Sequence, residues 1–246
     1  MFSYGIASKL RKIVGRDAVL DDPEDLMLYE YDGSLARGTP KYVVFPQTTE
    51  QVSQVVKLAA REGLSIIPRR AGTGLSGGSI ARNGGVTIAF ARMNRILEID
   101  VPNMRATVEP GVVNLELSNA LAPYGFYFAP DPSSQKACTI GGNVAENSGG
   151  PHTLANGVTV NHVTGLEIVL PSGRIVQLGG KAGSAAGYDL TGFFVGSEGT
   201  LGIATAITVK ITRLPESVTT LLAIYNEVQD AANTVVGITA TGITPT

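Results

Sequence analysis

Helical and strand-like spacings of apolar residues alternate along the first half of the chain. Helices are predicted over four segments: 6–14, about 22–29, 49–61 with Thr49 as its N-cap, and 114–121. Strands are predicted over five: 42–46, 64–67, 86–90, 95–100 and 105–109. The segments from residue 42 to residue 67 form a β-α-β unit, and the last two strands form a hairpin. This mixture indicates an α+β fold.

The pattern changes in the second half, where residues 129–160 are mostly small, polar and glycine-bearing, with one short helix predicted over 139–145. The later elements are strands at 163–170, 174–178, 203–214 and 221–225, and helices at 189–195 and 229–236. A single terminal strand and helix cannot bury a core of their own. We therefore expect an N-terminal helical segment (1–40), a main domain (41–215) and the truncated start of a further domain (216–246).

Composition narrows the class of protein. The 246 residues carry a net charge of −2 with 43% hydrophobic and 16% charged residues, which argues against a surface for nucleic acid or anionic membrane. A single cysteine, Cys138, excludes an intramolecular disulfide and a cysteine-rich zinc site. No apolar run is long enough for a transmembrane segment, and the N-terminus lacks the apolar core of a signal peptide. We expect a cytoplasmic protein, with peripheral docking on the inner membrane left open.

The most informative segment is 68–78, Pro-Arg-Arg-Ala-Gly-Thr-Gly-Leu-Ser-Gly-Gly, which follows a predicted strand. Glycine permits positive φ and close approach of a ligand to the backbone. Successive N–H groups in such a loop converge on an anion. The loop therefore predicts a pyrophosphate, and hence a dinucleotide, with Arg69 or Arg70 as a cation beside it.

A nicotinamide dinucleotide is the first alternative, because residues 72–77 satisfy G-x-G-x-x-G and Glu98 follows at about the required distance. That motif, however, must open a helix whose N-terminus binds the phosphates. Here the sequence passes through Gly84-Gly85 directly into the predicted strand at 86–90, which leaves no room for such a helix. This context argues against the nicotinamide interpretation.

Two further glycine clusters follow, at residues 139–150 and 196–202. Three such loops on one α+β scaffold indicate a large, extended ligand lying against backbone. A flavin dinucleotide fits this description better than a mononucleotide.

Five motifs in order carry a specific resemblance: residues 68–78, 130–132 (Pro-Asp-Pro), 139–143 (Thr-Ile-Gly-Gly-Asn), 187–190 (Gly-Tyr-Asp-Leu) and 196–202 (Gly-Ser-Glu-Gly-Thr-Leu-Gly). Together they resemble the FAD-binding domain of the vanillyl-alcohol oxidase/p-cresol methylhydroxylase (PCMH) superfamily. Within it they are most similar to the glycolate oxidase D subunit and to FAD-linked D-lactate and D-2-hydroxyglutarate dehydrogenases. The resemblance implies a PCMH-type domain of two α/β subdomains with FAD between them, followed by a truncated cap domain.

The resemblance also implies residue roles. Residues 70–78 would wrap the pyrophosphate, and the other segments would approach the flavin, the ribityl chain or the adenosine. The implied cofactor-binding residues are Arg70, Ala71, Gly72, Thr73, Gly74, Leu75, Ser76, Gly77, Gly78, Pro130, Asp131, Thr139, Gly141, Gly142, Asn143, Ser148, Gly149, Glu198, Gly199 and Ile203. Relatives often tether the flavin through a histidine near the pyrophosphate loop. Residues 68–85 contain none, so we expect non-covalent FAD.

The implied activity is oxidation of a 2-hydroxy acid (D-lactate, glycolate or D-2-hydroxyglutarate) to the 2-oxo acid by hydride transfer to flavin N5. In this family the base, the carboxylate-binding cations and a metal site lie mostly in the C-terminal domain, so we name no catalytic or metal-binding residue and expect little turnover from this chain alone. The histidines, His152 and His162, are interpreted as ordinary structural residues. The implied electron acceptor is an iron–sulfur subunit, a quinone or a cytochrome. The alternatives are a non-catalytic FAD-carrying subunit and a superfamily enzyme of other chemistry.

Overall fold

A computed structural model describes residues 5–69, 71–180 and 187–245. The helices in this part of the chain are α1 (Ile6–Val14), α2 (Pro23–Leu26), α3 (Thr49–Arg61), α4 (Asn114–Leu121), α5 (Ile140–Glu146), α6 (Thr153–Asn156), α7 (Leu190–Phe194) and α8 (Val228–Ala240). The strands are β1 (Val19–Leu20), β2 (Tyr42–Val44), β3 (Ile66–Arg69), β4 (Val86–Ala89), β5 (Ile96–Asp100), β6 (Arg105–Val108), β7 (Phe126–Tyr127), β8 (Val163–Val169), β9 (Ile175–Gly179), β10 (Ile203–Lys210) and β11 (Thr212–Arg213). Short 3₁₀ turns lie at Arg16–Ala18, Met27–Tyr29, Phe90–Arg92, Ala122–Tyr124 and Thr159–Asn161.

The first sheet has the strand order β1-β2-β4-β3. Strands β2 and β3 both run parallel to β4, so the predicted β-α-β unit exists with β4 inserted between its two strands. The apolar face of α3 is buried, with Val52, Val55, Val56 and Ala59 at most 1% exposed. This face packs with α1 and the first sheet in one hydrophobic core.

The N-cap of α3 is Thr48 rather than Thr49. The Thr48 hydroxyl accepts a hydrogen bond from the backbone N–H of Gln51, which satisfies one of the free donors at the helix start. The Thr49 hydroxyl instead donates to Glu167 on β8, at 2.6 Å. That tertiary bond explains the displacement, because it uses Thr49 to join the first sheet's helix to the second sheet.

The second sheet has the order β5-β6-β10-β8-β9, and its neighbouring strands are all antiparallel. Helices α4 and α5 supply Leu117, Leu121, Ile140 and Val144 to its core. The two halves are continuous, since Val169 and Ile203 of the second sheet belong to the core of the first. The buried Ser53 hydroxyl of α3 also donates to the Gly173 carbonyl at 2.6 Å.

Several predicted boundaries differ from the structure. The predicted strand at 203–214 breaks after Lys210, and its last part, β11, pairs with β7, which the sequence analysis did not predict. No strand forms at 221–225, where the described residues offer no neighbouring strand for pairing. The following helix, α8, has no buried residue. Among the described residues, no helix is both long and apolar enough to cross a membrane.

Candidate functional site

A cleft lies where the carboxyl ends of β3 and β4 face α5 and the start of β10. Its volume is about 660 Å³, inside the usual range for small-molecule sites. The wall draws on all three glycine clusters, so the structure brings together segments that are more than a hundred residues apart in the sequence. The carboxyl end of a parallel strand pair is also where ligands bind in many α/β folds.

The loop after β3 has the properties of an anion cradle. Its N–H groups from Gly72 to Gly78 donate no hydrogen bond to any described residue. Gly72 and Gly77 have φ of +65° and +78°, the left-handed region that glycine adopts without strain. Residues 71–85 contain no helix, and the chain enters β4 directly at Val86. The expectation that no helix opens at the G-x-G-x-x-G motif is confirmed, and this argues against a nicotinamide dinucleotide.

Arg69, the last residue of β3, lies in the cleft wall next to this loop and is only 7% exposed. A Cβ on Gly72 would lie 2.7 Å from Arg69 Nη2, so the absence of a side chain there lets the guanidinium approach the loop. The guanidinium donates weakly to the carbonyls of Tyr29 and Ser79, at 3.4 Å each. Burial lowers the pKa of Arg69, an effect that the charge of Asp32 opposes. Arg69 therefore brings a positive charge to the loop, whereas Arg70 lies outside the described residues.

The loop is held from outside by residues 29–38, here called the N-terminal strap. Asp32 of the strap accepts hydrogen bonds from the backbone N–H of Ser34 at 2.7 Å and from the Ser79 hydroxyl at 3.1 Å. Burial raises the pKa of Asp32, but these bonds and the charge of Arg69 outweigh it, so the pKa is lowered overall. A Cβ at Gly33 would lie 2.8 Å from the Gly74 carbonyl oxygen, so glycine is needed for this close packing.

The second segment, residues 139–150, contributes two buried polar groups that have no hydrogen-bond partner among the described residues. The Thr139 hydroxyl and the Asn143 amide nitrogen belong to residues that are each 1% exposed, and both residues line the cleft. Thr139 is the N-cap residue of α5, yet its side chain makes no capping bond. Buried polar groups without partners are uncommon in proteins. Their position in the cleft wall indicates a polar ligand.

The third segment places Glu198 and Gly199 opposite the loop. Glu198 has φ of +52°, unusual for a residue other than glycine, and its N–H donates to the Ala145 carbonyl at the end of α5. Its carboxylate oxygen lies 3.5 Å from the position of a Cβ on Gly78. The third glycine cluster and α5 therefore form one continuous wall of the cleft.

Most of the predicted cofactor-binding residues line the cleft: Ala71, Gly72, Thr73, Gly74, Leu75, Ser76, Gly78, Thr139, Gly141, Gly142, Asn143, Ser148, Glu198, Gly199 and Ile203. Four lie outside its wall: Gly77, Pro130, Asp131 and Gly149. The Pro130 carbonyl accepts from the Asn114 amide, and the Asp131 carboxylate pairs with the ring of His152. These two contacts fix the segments near residues 130 and 150, which carry the lining residues Ser133, Ser134 and Ser148.

Several residues of the wall were not predicted from the sequence: Asp32, Ser79, Phe90, Pro110, Ser133, Ser134 and Glu146. Ser79 and Glu146 adjoin or lie inside glycine clusters, so their proximity could have been anticipated. Asp32 lies in no glycine cluster, so the sequence gives no reason to place it in the cleft. It reaches the cleft because the strap folds back onto the loop, where Asp32 accepts a bond from Ser79.

The remaining candidates for chemistry have structural environments. Cys138 lines the cleft but is 6% exposed, and burial raises its pKa, so its thiol is a poor nucleophile. His162 is also 6% exposed, with Nε2 bonded to the Asn156 carbonyl at 2.7 Å. Burial is the main cause of its lowered pKa. Within the described parts of the chain, no cluster of three or more histidine, cysteine or acidic residues could hold a metal ion.

Comparison with known sequences gives a consistent family match. Residues 40–179 match the family described as FAD binding domain. The chain is 43% identical to the glycolate oxidase subunit GlcD of Bacillus subtilis (strain 168), over all of this chain and 53% of that protein. It is 38% identical to a D-lactate dehydrogenase of Anaerostipes hadrus, over 81% of this chain and 42% of that protein. The chain thus spans about half the length of the curated relatives it matches.

Comparison with solved structures confirms the expected fold class. An alkyldihydroxyacetonephosphate synthase superposes with a TM-score of 0.77 at 27% identity, over 86% of this chain and 41% of that one. A p-cresol methylhydroxylase with bound substrate gives a TM-score of 0.75 at 24% identity, over 86% of this chain and 44% of that one. The PCMH-type α+β fold is therefore shared.

Proposed function

This chain belongs to the FAD-binding domain family of the vanillyl-alcohol oxidase/p-cresol methylhydroxylase superfamily, and on that premise we propose that it is the FAD-binding part of a 2-hydroxy-acid dehydrogenase. The similarity to proteins named glycolate oxidase and D-lactate dehydrogenase supports this class of substrate. D-lactate, glycolate and D-2-hydroxyglutarate are the specific candidates, the last through a 34% identical dehydrogenase of Stutzerimonas stutzeri.

The observation that carries the proposal is the set of unused hydrogen-bonding groups in the cleft. The N–H groups from Gly72 to Gly78 have no acceptor among the described residues, and the Arg69 guanidinium lies close to the loop at Gly72. Together they suit the diphosphate of a dinucleotide. The Thr139 hydroxyl and the Asn143 amide nitrogen, which have no partner in the described residues, suit polar atoms elsewhere on FAD. We propose that the lining residues hold FAD without a covalent bond, since residues 71–85 contain no histidine.

The chemistry divides between cofactor and protein. When bound, FAD supplies the two-electron acceptor for oxidising an α-hydroxyl carbon to a 2-oxo acid. The described wall of the cleft contains one cation, Arg69, which lies against the glycine loop. His152 is engaged by Asp131, and His162 is buried. We propose that a base for the hydroxyl proton and cations for the substrate carboxylate come from a further part of the protein.

We propose the domain division predicted from the sequence: residues 1–40, 41–215 and 216–246. The exposure of the last region supports it, because Leu221, Leu222 and Ile224 are each at least 88% exposed and α8 buries nothing. Apolar side chains in that number suit contact with another part of a protein. We further propose an iron–sulfur subunit, a quinone or a cytochrome as electron acceptor, in a cytoplasmic protein whose peripheral docking on the inner membrane is left open.

The test combines binding with reduction. The purified chain is titrated with FAD by flavin fluorescence, then mixed without oxygen with D-lactate, L-lactate, glycolate and D-2-hydroxyglutarate in turn. We expect FAD binding with little or no turnover by this chain, and bleaching of the flavin by one of the D-acids or glycolate once the proposed further part is present. Steady turnover by the chain alone would contradict the proposal that the base and the carboxylate-binding cations lie outside it. Flavin that no hydroxy acid reduces even with that further part would favour a superfamily enzyme of other chemistry or a non-catalytic FAD carrier.

A further inference from the structure

One hydrogen-bonded pair crosses the cleft from the glycine loop to the end of α5. The Ser76 hydroxyl lies 2.9 Å from each oxygen of the Glu146 carboxylate. Both residues line the cleft, and both are exposed on its open side. The two are seventy residues apart in sequence. Ser76 follows a strand of the first sheet, while Glu146 ends a helix that packs on the second, so the bond joins the two halves across the opening.

The carboxylate contacts the loop without occupying its hydrogen-bond donors. Glu146 Oε1 lies 3.5 Å from the Cβ positions at Gly74 and at Gly78, on the side where side chains would project. The backbone N–H groups from Gly72 to Gly78 donate to no acceptor in the part of the chain that the structure describes. The pair can therefore be closed while those N–H groups bind an anion.

The backbone around Glu146 holds the carboxylate in place. Asn147, the next residue, has φ of +51°, which turns the chain sharply at the end of α5. The neighbouring wall is fixed to this turn, because the N–H of Gly196 donates to Val144 at 2.8 Å and that of Glu198 donates to Ala145 at 2.9 Å. A side chain on so constrained a helix end can support a contact across the cleft.

We propose that Ser76 and Glu146 form a clasp that retains bound FAD by tying the glycine loop to α5. The inference rests on the proposed binding of FAD in this cleft. With the clasp closed, a dinucleotide on the loop leaves only after the loop and α5 separate. Ser76 and Glu146 are thus positioning residues that slow release of the cofactor, and neither has a part in the chemical step.

The test is the rate at which FAD leaves the loaded protein. The wild type and the variants S76A, E146A, E146Q and S76A/E146A are loaded with FAD and mixed with excess apoflavoprotein as a trap, and flavin fluorescence is followed. One hydrogen bond contributes about 0.5–1.5 kcal/mol, so S76A and E146A should release FAD about two- to thirteenfold faster. E146Q keeps an acceptor oxygen and should remain near wild type. The double variant should be no faster than either single one.

The control is E62A, which removes an exposed carboxylate bonded to Lys9 at 2.6 Å outside the cleft and should leave the release rate unchanged. Circular dichroism establishes whether each variant is folded. If E146A does not fold, the release rate of S76A alone tests the clasp. Release at the wild-type rate from S76A overturns the clasp, as does slower release from E146Q, which would mean that the carboxylate repels the cofactor. Failure of the wild type to bind FAD would instead overturn the proposed function, and the clasp with it.

Discussion

Replacing Asp32 with alanine tests whether the N-terminal strap supports the cofactor loop. The Asp32 carboxylate accepts bonds at 2.7 Å from Ser34 N–H and at 3.1 Å from the Ser79 hydroxyl. It also provides a negative charge near the buried guanidinium of Arg69. Alanine at position 32 therefore removes the bond from Ser79 that ties the strap to the loop. It also removes the negative charge near the buried guanidinium of Arg69.

The expected loss follows from these contacts. Each bond contributes about 0.5–1.5 kcal/mol, and partial exposure of the carboxylate places the total near 2 kcal/mol. The same loosening should weaken FAD binding about tenfold, because the loop must then be ordered by the ligand. The pKa of Asp32 is lowered from 3.8, so its stabilisation is present at neutral pH and is lost as the pH falls through its folded-state pKa.

Urea unfolding of the apo chain and a FAD titration measure the two effects of D32A. The matched control is D22A, since Asp22 is exposed and makes no side-chain capping bond, and we expect a change below about 0.5 kcal/mol. D32N keeps one acceptor oxygen and should fall between wild type and D32A. If D32A unfolded at the wild-type urea concentration and bound FAD within about twofold of wild type, the supporting role of the strap would be refuted.

Three further predictions concern the buried groups. T139V removes an unpartnered hydroxyl, so the apo protein should gain up to about 1 kcal/mol in urea unfolding while FAD affinity falls; unchanged affinity would exclude this hydroxyl from the site. Because burial raises the pKa of Cys138, its thiol should react with Ellman's reagent more slowly than free cysteine at mildly alkaline pH, and more slowly still with FAD bound. Equal rates with and without FAD would count against binding in this cleft. Because the pKa of His162 is lowered below 6.5, the unfolded chain binds more protons there, and stability should fall as the pH drops below about 6.5; H162Q should reduce this dependence, and an unaltered pH profile would contradict it.

The sequence predicts those parts of the site that depend on local backbone. The glycine loop was recognisable because the composition of 68–78 and the strand that follows it are local properties. The N–H groups from Gly72 to Gly78 bond to no described residue, which agrees with the anion cradle that this composition predicts. Thr139 and Asn143 were predicted as site residues from the family resemblance alone. The structure shows that their polar groups are buried with no partner among the residues it describes.

Contacts made by folding distant segments together were not predictable in this way. Asp32 reaches the loop only because Gly33 allows the strap to pack against Gly74. Thr48 and Thr49 carry the same hydroxyl, so the sequence alone does not tell which of them caps the helix. In the structure Thr49 bonds to Glu167 and Thr48 caps the helix. The strand predicted at 221–225 has suitable residues, but a strand forms only with a partner.

The visible absorption spectrum of the purified chain, repeated after acid precipitation, tests the central claim most directly. The account predicts flavin bands in the protein, acquired in the cell or on incubation with FAD, that move completely into the acid supernatant. A yellow pellet would contradict non-covalent binding and direct attention to His152 and His162. Failure to take up FAD at all would contradict the claim that the described cleft holds this cofactor.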